Sequence, residues 1–279
     1  MKLAGSVVVI TGGGSGIGAA MAQRFAKEGA AHVVVSDRDS ASAHRVAEQI
    51  GGHARVADVG DATQTQALID WTEQHLGSVD LFCANAGVTA HGGVDLPDEQ
   101  WQRLWQVNVM AHVHAARVLV PRMLARGRGH LLFTASAAGL LSQFDAPYAV
   151  TKHAAVALAE WLSITHGNQG LGVSCLCPQG VDTPMLRAED STRRELMSHG
   201  LLSADDVADA TVRGLQANEF FIFPHPQVTE FMRRRADDHA RWLQSGSPLR
   251  VPRLCRLPDE SITRTPICRE ARMLARACP

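Results

Sequence analysis

Short apolar segments alternate with helical segments along most of this sequence, and this alternation limits the folds open to the chain. The apolar segments span residues 7–10, 31–36, 54–57, 81–84, 130–134, 172–176 and 220–223, and the helical patterns span 17–28, 40–50, 63–76, 99–126, 148–167 and 204–217. Continuous apolar strands without polar alternation are typical of a parallel sheet covered by helices on both faces. We predict a single-domain doubly wound α/β fold of the Rossmann type with about seven strands.

Composition excludes several classes of protein. A net charge of -1 gives no electrostatic basis for binding nucleic acid or an anionic membrane. No apolar segment reaches the ~18 residues of a membrane-spanning helix, and the first strand follows the initial residues directly. The six cysteines form no C-x-x-C pair, and the histidines lack ligand spacing. We therefore expect a soluble, cytoplasmic protein without a disulfide framework or a metal site.

A glycine-rich segment joins the first strand to the first helix, with the sequence Thr11-Gly12-Gly13-Gly14-Ser15-Gly16-Ile17-Gly18. Glycines allow backbone N–H groups to approach a pyrophosphate closely, and the helix N-terminus adds partial positive charge. A tight turn without a ligand is the alternative. The position between strand and helix favours a dinucleotide site.

The end of the second strand bears on the choice of cofactor. Asp37 is placed to accept both adenosine ribose hydroxyls and to repel a 2′-phosphate, which favours NAD over NADP. Arg38 could instead pair with such a phosphate. Ser15 occupies a position in the turn where a basic residue would help to bind NADP, so NAD is the prediction and NADP the less favoured alternative.

Asp58 and Val59 follow the third strand. The Asp58 carboxylate is positioned to accept a hydrogen bond from the adenine amino group. A helix N-cap or a turn aspartate is an alternative that the sequence leaves open.

Three side chains form a candidate catalytic group. Tyr148 is the only tyrosine in the chain, and Lys152 follows it at a spacing that puts both on one helix face. An ammonium group stabilises a phenolate, which makes the phenol a better base near neutral pH. Ser136 lies just past the fifth strand, where its hydroxyl could hold a substrate oxygen. An ordinary amphipathic pair is the alternative for Tyr148 and Lys152 taken alone.

These motifs, in this order, resemble the short-chain dehydrogenase/reductase family over most of the chain. The matching residues are Thr11, Gly12, Gly16, Gly18, Asn85-Ala86-Gly87, Asn108, Ser136, Tyr148, Lys152, Pro178 and Gly180. Two positions depart from the usual family pattern: Cys83-Ala84 precedes Asn85 where a second asparagine is frequent, and Gln179 stands where a glycine is common.

The resemblance implies a role for each of these groups. Tyr148 would be the general acid/base, Lys152 would bind the nicotinamide ribose and lower the pKa of Tyr148, and Ser136 would orient the substrate. Asn108 would hold a water that links Lys152 to solvent. The Val181 backbone and the Thr183 hydroxyl would hold the nicotinamide carboxamide. Asn85-Ala86-Gly87 would support the sheet beside the cofactor.

The resemblance also implies an activity and an assembly. We expect an NAD(H)-dependent oxidoreductase acting on a secondary alcohol or ketone, within a catalytic domain spanning 1–249. Family members are usually homodimers or homotetramers built on helices that here begin near Glu99 and Tyr148. An NADPH-dependent carbonyl or β-ketoacyl reductase and a non-catalytic nucleotide-binding regulator remain as alternatives. Residues 250–279 are rich in arginine and proline and are expected to form a surface tail.

The substrate is expected to be apolar. The segments that build the substrate pocket in this family here supply hydrophobic side chains, namely Leu140, Leu141, Phe144, Met185, Leu186, Met197 and Leu201. These residues could equally close the core or an oligomer contact. Arg187, Arg193 and Arg194 leave room for an anionic substrate group.

Overall fold

A parallel sheet lies at the centre of the computed structural model, which describes residues 1–142, 145–188 and 200–245. Within these residues the sheet contains seven strands in the order β3-β2-β1-β4-β5-β6-β9. They are β1 (Val7–Thr11), β2 (His32–Asp37), β3 (His53–Val56), β4 (Leu81–Ala84), β5 (Gly129–Thr134), β6 (Leu171–Leu176) and β9 (Phe221–Ile222). Every neighbouring pair is parallel, which confirms the predicted Rossmann fold.

Helices cover both faces of the sheet. The helices of the described residues are α1 (Gly16–Lys27), α2 (Ser40–Ile50), α3 (Ala62–His75), α4 (Asp98–Trp105), α5 (Ala111–Ala125), α6 (Ala138–Leu141), α7 (Ala146–His166), α8 (Pro184–Arg187), α9 (Ala204–Gln216), α10 (Gln227–Asp237) and α11 (His239–Ser245). Side chains of Asp39, Asp61 and Ser203 cap the N-termini of α2, α3 and α9, which explains where these helices begin.

The hydrophobic core has two layers because consecutive strand residues point to opposite faces. Val9 packs in the layer that contains residues of α3, α5 and α7. Its neighbours Val8 and Ile10 pack in the other layer, with residues of α1, α2 and α9. Both faces are buried, which accounts for the unbroken apolar strands.

The prediction of one continuous α-helix over 99–126 is wrong at its centre. A π-helical turn, Gln106–Met110, separates α4 from α5. The wider turn contains the buried Asn108, whose carboxamide bonds to groups outside the helix. Such turns occur frequently at functional sites.

Several short elements were not predicted. Strands β7 (Val181–Asp182) and β8 (Leu202–Ser203) form a separate parallel pair, and α6, α8, α10 and α11 also lie outside the predicted segments.

The chain divides into two units, Met1–His239 and Ala240–Pro279. The predicted boundary at residue 249 and the tail after it lie outside the described residues. None of the helices in the described ranges is long and apolar enough to cross a membrane.

Candidate functional site

The candidate residues lie at the carboxyl ends of adjacent strands. Thr11 and Asp37 are the last residues of β1 and β2, and Asn85 directly follows β4. Ser136 and Pro178 each follow a strand, β5 or β6, by two residues. Strand order reverses between β1 and β4, and open α/β sheets bind ligands at the carboxyl edge beside such a reversal.

The glycine-rich turn depends on its glycines for conformation and for space. Gly12 and Gly16 have φ angles of 62° and 51°, a left-handed conformation that side chains strain. A Cβ on Gly18 would lie 2.1 Å from the Gly12 carbonyl oxygen. Helix α1 therefore packs directly on the turn that precedes it, at positions where no larger residue fits.

The N-terminus of α1 suits a bound anion. Within the described residues, the Ser15 side chain makes no capping hydrogen bond, and the first turn of α1 carries no acidic residue. The backbone N–H groups of Gly16, Ile17 and Gly18 are among the first-turn donors that lack partners inside a helix. The residues present thus fit the pyrophosphate of a dinucleotide.

Asp37 is fixed against the glycine-rich turn. Its Oδ2 accepts a hydrogen bond from the Gly14 N–H at 3.0 Å, and its Oδ1 accepts one from the Asp39 N–H at 3.1 Å. The neighbouring Arg38 is exposed. The carboxylate is consequently held beside the turn, where the ribose of a dinucleotide would lie.

Asp58 and Val59 occupy the next loop along this edge. Asp58 is exposed, and its Oδ1 accepts from the Gly60 N–H at 2.9 Å, whereas Val59 is buried. The residue that caps α3 is Asp61. Asp58 is therefore a turn aspartate and not the cap of that helix, and contact with an adenine remains a prediction.

Thr11 and Asn85 join three strand ends. The Thr11 hydroxyl donates to the Cys83 carbonyl and accepts from the N–H groups of Asn85 and Ala86. The Asn85 carboxamide donates to the Thr11 carbonyl at 3.0 Å and accepts from the Thr134 hydroxyl at 3.1 Å. These bonds hold the ends of β1, β4 and β5 together beside the turn.

Tyr148 and Lys152 face each other over the first turns of α7. The Lys152 Nζ lies 5.7 Å from the centre of the Tyr148 ring and donates to the Thr134 carbonyl at 2.8 Å. Lys152 is only 3% exposed, and burial lowers its pKa to about 8. A Cβ on Gly87 would come within 3.3 Å of that Nζ, so this glycine leaves space for the ammonium group.

Ser136 lies two residues after Thr134, whose carbonyl accepts from Lys152, and Asn108 lies with Lys152 beside Gly87. The Ser136 Oγ accepts from the Ala138 N–H at 3.1 Å and lies 3.4 Å from the Pro178 carbonyl. The Asn108 carboxamide donates to the Val88 carbonyl and the Thr151 hydroxyl, and accepts from the Val88 N–H. Asn108 thus ties the loop after β4 to helix α7.

The loop after β6 contains the predicted nicotinamide contacts. The Thr183 hydroxyl donates to the Val181 carbonyl at 3.3 Å and accepts from the Leu186 N–H, which caps α8. His225, which the sequence analysis did not single out, contacts Gln179 and Gly180 in this loop. No local pattern identifies it, because its partners lie far away along the chain.

The predicted substrate residues that the structure describes differ in their exposure to solvent. Leu141 is 1% exposed and belongs to the interior, so its assignment to an open pocket is wrong. Met185 and Leu201 are exposed, and Leu140 and Leu186 are partly buried. Arg187 donates two hydrogen bonds to Asp182, at 2.7 and 2.9 Å. Phe144, Met197, Arg193 and Arg194 lie outside the described residues.

Taken together, the edge holds a phenol beside a buried ammonium, a serine hydroxyl, and an anion site with a neighbouring carboxylate. Groups of three or more potential metal ligands are absent from the part of the chain that the structure describes. Such an arrangement can move a proton at a substrate oxygen next to a bound dinucleotide.

Comparison with known proteins matches this chain to a dehydrogenase family and to individual dehydrogenases. A family model described as short chain dehydrogenase matches residues 6–194. The 1-deoxy-11-beta-hydroxypentalenate dehydrogenase of Streptomyces avermitilis is 36% identical over 265 residues, covering 89% of this chain and 97% of that protein. The (+)-borneol dehydrogenase 1 of Salvia officinalis is 33% identical over 232 residues, covering 76% of this chain and 86% of that protein.

Solved structures agree with these sequence matches. A short-chain dehydrogenase/reductase from Burkholderia phymatum, crystallised in complex with NAD, superposes with a TM-score of 0.79. It shares 32% sequence identity, and the match covers 90% of this chain and all of that one.

Proposed function

Because the chain belongs to the short-chain dehydrogenase/reductase family, we propose that it interconverts a secondary alcohol and a ketone with NAD(H), using Tyr148 as the general acid/base. The observation that carries this proposal is the Tyr148–Lys152 pair, in which a buried ammonium lies 5.7 Å from the centre of the phenol ring. The family establishes the enzyme as an oxidoreductase that uses a nicotinamide cofactor.

Tyr148, Ser136 and Lys152 have separate roles in the proposed proton transfer. In the oxidation direction, Tyr148 removes the proton of the substrate hydroxyl, and the Ser136 hydroxyl holds the same oxygen in place. Lys152, with a pKa of about 8, is largely protonated near neutral pH and stabilises the phenolate. A bound nicotinamide would accept the hydride from the substrate carbon. Proton transfer by a positioned side chain typically contributes a factor of about 10²–10⁴ to the rate.

The cofactor is proposed to be NAD. The Asp37 carboxylate, fixed by the Gly14 N–H, would face the 2′-phosphate of NADP with like charge. Arg38 is the feature that favours the alternative, an NADPH-dependent carbonyl or β-ketoacyl reductase, because it is exposed next to Asp37. The ratio of kcat/KM with NADH to that with NADPH distinguishes the two activities.

The substrate is proposed to be an apolar secondary alcohol or its ketone. Met185 and Leu201 present apolar surface near the loop after β6, and burial of each substrate methylene there would contribute about 0.8 kcal/mol. The guanidinium of Arg187 already bonds to Asp182, which weakens the case for an anionic contact at this position. The names of the relatives, which refer to hydroxypentalenate and borneol, support a hydroxyl-bearing substrate.

The test is a panel of secondary alcohols and ketones of increasing hydrocarbon size, assayed at fixed salt by nicotinamide absorbance with NAD and NADH. We expect kcat/KM to rise with size. A value that stays flat with size but rises sharply for carboxylate-bearing substrates would rule out the apolar preference. Cofactor binding without turnover across the whole panel would favour the non-catalytic regulator.

A homodimer or homotetramer is proposed for the assembly. On helix α7, Trp161 and Ile164 are 57% and 84% exposed and lie three residues apart on one face of the helix, where a second copy of the chain would cover them. Sedimentation equilibrium of the wild-type chain measures the assembly directly. Replacement of both residues by glutamine is expected to weaken the association.

A further inference from the structure

His225 is a buried histidine outside the groups assigned so far. It follows β9 and lies between Pro224 and Pro226, immediately before α10, and it is 2% exposed. Its position in the sequence is 45 residues from Gly180, yet its ring contacts the loop that leads from β6 to Val181.

The two ring nitrogens bond to adjacent residues of that loop. The Gln179 N–H donates to Nδ1 at 3.1 Å, and Nε2 lies 3.2 Å from the Gly180 carbonyl oxygen. A backbone N–H can only donate, so Nδ1 must be unprotonated, and the Gly180 carbonyl can only accept, so Nε2 carries the hydrogen. The contacts therefore require a neutral ring in one tautomer. Burial lowers the pKa of His225, against the opposing effect of the Gly180 and Gly200 carbonyls, and this favours the neutral ring.

The same loop is held from its other side by the segment that contains the catalytic serine. The Pro178 carbonyl accepts a hydrogen bond from the Ala137 N–H at 2.9 Å and lies 3.4 Å from the Ser136 Oγ. The loop Pro178–Gln179–Gly180 is thus fixed between Ser136 and His225. Its next residues include Val181 and Thr183, which are expected to hold the nicotinamide carboxamide.

We propose that His225 is a positioning residue for the nicotinamide half of the cofactor, acting through the backbone of Gln179 and Gly180. This inference rests on the proposed function, since it assumes that the loop binds nicotinamide. His225 follows β9, which β4, β5 and β6 separate from β1 in the sheet, whereas the glycine-rich turn follows β1 and binds the other half of the dinucleotide under the same proposal. Loss of the histidine should therefore weaken nicotinamide contacts and leave the contacts with the adenosine diphosphate moiety in place.

The experiment compares the dissociation constants of two ligands, NADH and ADP-ribose, which lacks the nicotinamide ring. The variant His225→Phe keeps an aromatic ring and removes both hydrogen bonds. It is expected to raise the Kd for NADH about tenfold and to change the Kd for ADP-ribose less than twofold. His225→Gln, whose carboxamide carries one acceptor and one donor, should restore part of the NADH affinity.

A matched control comes from His130, which is also buried but lies near the amino end of β5 and bonds to Ser174. His130→Phe should leave the ratio of the two dissociation constants unchanged. If His225→Phe fails to fold, the ratio of the two dissociation constants measured for His225→Gln tests the inference by itself. Equal weakening of both ligands, or an unchanged Kd for NADH, overturns the inference. If the wild-type protein binds neither ligand, the proposed function fails and the inference fails with it.

Discussion

At the scale of single residues, the chemistry depends on how each polar group is held. Lys152 reaches Tyr148 because its ammonium is anchored to the Thr134 carbonyl at the end of β5. Asp37 is held by hydrogen bonds to both of its carboxylate oxygens. Groups fixed in this way need little rearrangement when ligands bind, which lowers the cost of reaching a reactive geometry.

Replacement of Tyr148 by phenylalanine tests the assignment of the acid/base. Phenylalanine keeps the ring and removes only the hydroxyl, so turnover should fall by on the order of 10²–10⁴. The Kd for NADH, measured by fluorescence titration, should stay nearly unchanged. Near-full activity in this variant would show that another group exchanges the proton.

Two substitutions at Asp37 separate charge from hydrogen bonding. Asp37→Ala should narrow the preference for NAD over NADP, because it removes the charge that faces the 2′-phosphate. The alanine also removes the acceptors of the Gly14 and Asp39 N–H groups. Asp37→Asn retains an acceptor without the charge, so it should narrow the preference with less loss of NAD affinity. A wild-type kcat/KM that favours NADP would contradict the assignment and point to Arg38.

At the scale of elements, the π-helical turn Gln106–Met110 joins α4 to α5. Its residue Asn108 bonds both to the loop after β4 and to helix α7. Asn108 makes three hydrogen bonds there, two of them to Val88 and one to Thr151. The part-buried backbone N–H and carbonyl of Val88 would lose these partners if the carboxamide were absent. The turn is therefore expected to contribute to stability as well as to the site.

Asn108→Ala is expected to lower the free energy of unfolding by about 2 kcal/mol, since the part-buried backbone groups of Val88 and the buried Thr151 hydroxyl lose hydrogen bonds. Urea denaturation followed by fluorescence measures the change. Thr151→Ala removes only one of the three bonds to the carboxamide and should cost less. Equal stability of Asn108→Ala and the wild type would mean that solvent replaces these bonds.

The sequence predicted most of the long elements and missed the short ones, and it also missed the eleven-residue helix α10. Helix α2 was predicted with its observed ends, and β5 began one residue earlier than expected. Strands β7 and β8 are two residues each, too short to show any period in the sequence. The π-helical turn was missed because it barely changes the spacing of apolar residues. A π-helical turn is defined by local i→i+5 backbone hydrogen bonds, whereas the partners of the Asn108 side chain lie far away in the sequence.

The site was predictable where its residues stand at characteristic spacings. The glycine-rich turn, Asp37 and the Tyr148–Lys152 pair all belong to patterns of short sequence spacing. His225 belongs to no such pattern, because its ring contacts Gly180, which lies 45 residues earlier in the sequence. Leu141 was misassigned for a related reason: hydrophobicity alone does not distinguish a core residue from a pocket wall.

At the scale of the whole molecule, buried histidines link stability to pH. Burial, aided by the charge of Lys152, lowers the pKa of His112 to about 3, and burial lowers that of His130 to about 4. The pKa of His225 is also lowered. The folded protein keeps these rings neutral, whereas the unfolded chain binds protons near an ordinary pKa of about 6.5. Protonation of these histidines thus favours the unfolded chain below that pH. The free energy of unfolding is unaffected by them above about pH 6.5 and decreases as the pH falls from there.

Melting temperatures should therefore fall as the pH is lowered from about 6.5 to about 4.5. Each such histidine can remove up to about 1.4 kcal/mol per pH unit in this range. His112→Phe should reduce the slope, because it removes one titrating ring from a site already packed 5.1 Å from the Phe133 ring. An unchanged slope would assign the acid sensitivity to other groups. Asp61, with a pKa lowered to about 2, loses its contribution only below the range tested.

The pairing of Tyr148 with Lys152 has an optical consequence, because the chain contains one tyrosine. A phenolate absorbs at longer wavelength than a neutral phenol or an indole, so ultraviolet difference spectra taken across a pH series would report on Tyr148 alone. The site carries its own chromophore, and no label or unnatural amino acid is needed. The ionisation of Tyr148 can be followed in the unmodified enzyme, with and without ligands, and compared with the pH dependence of turnover.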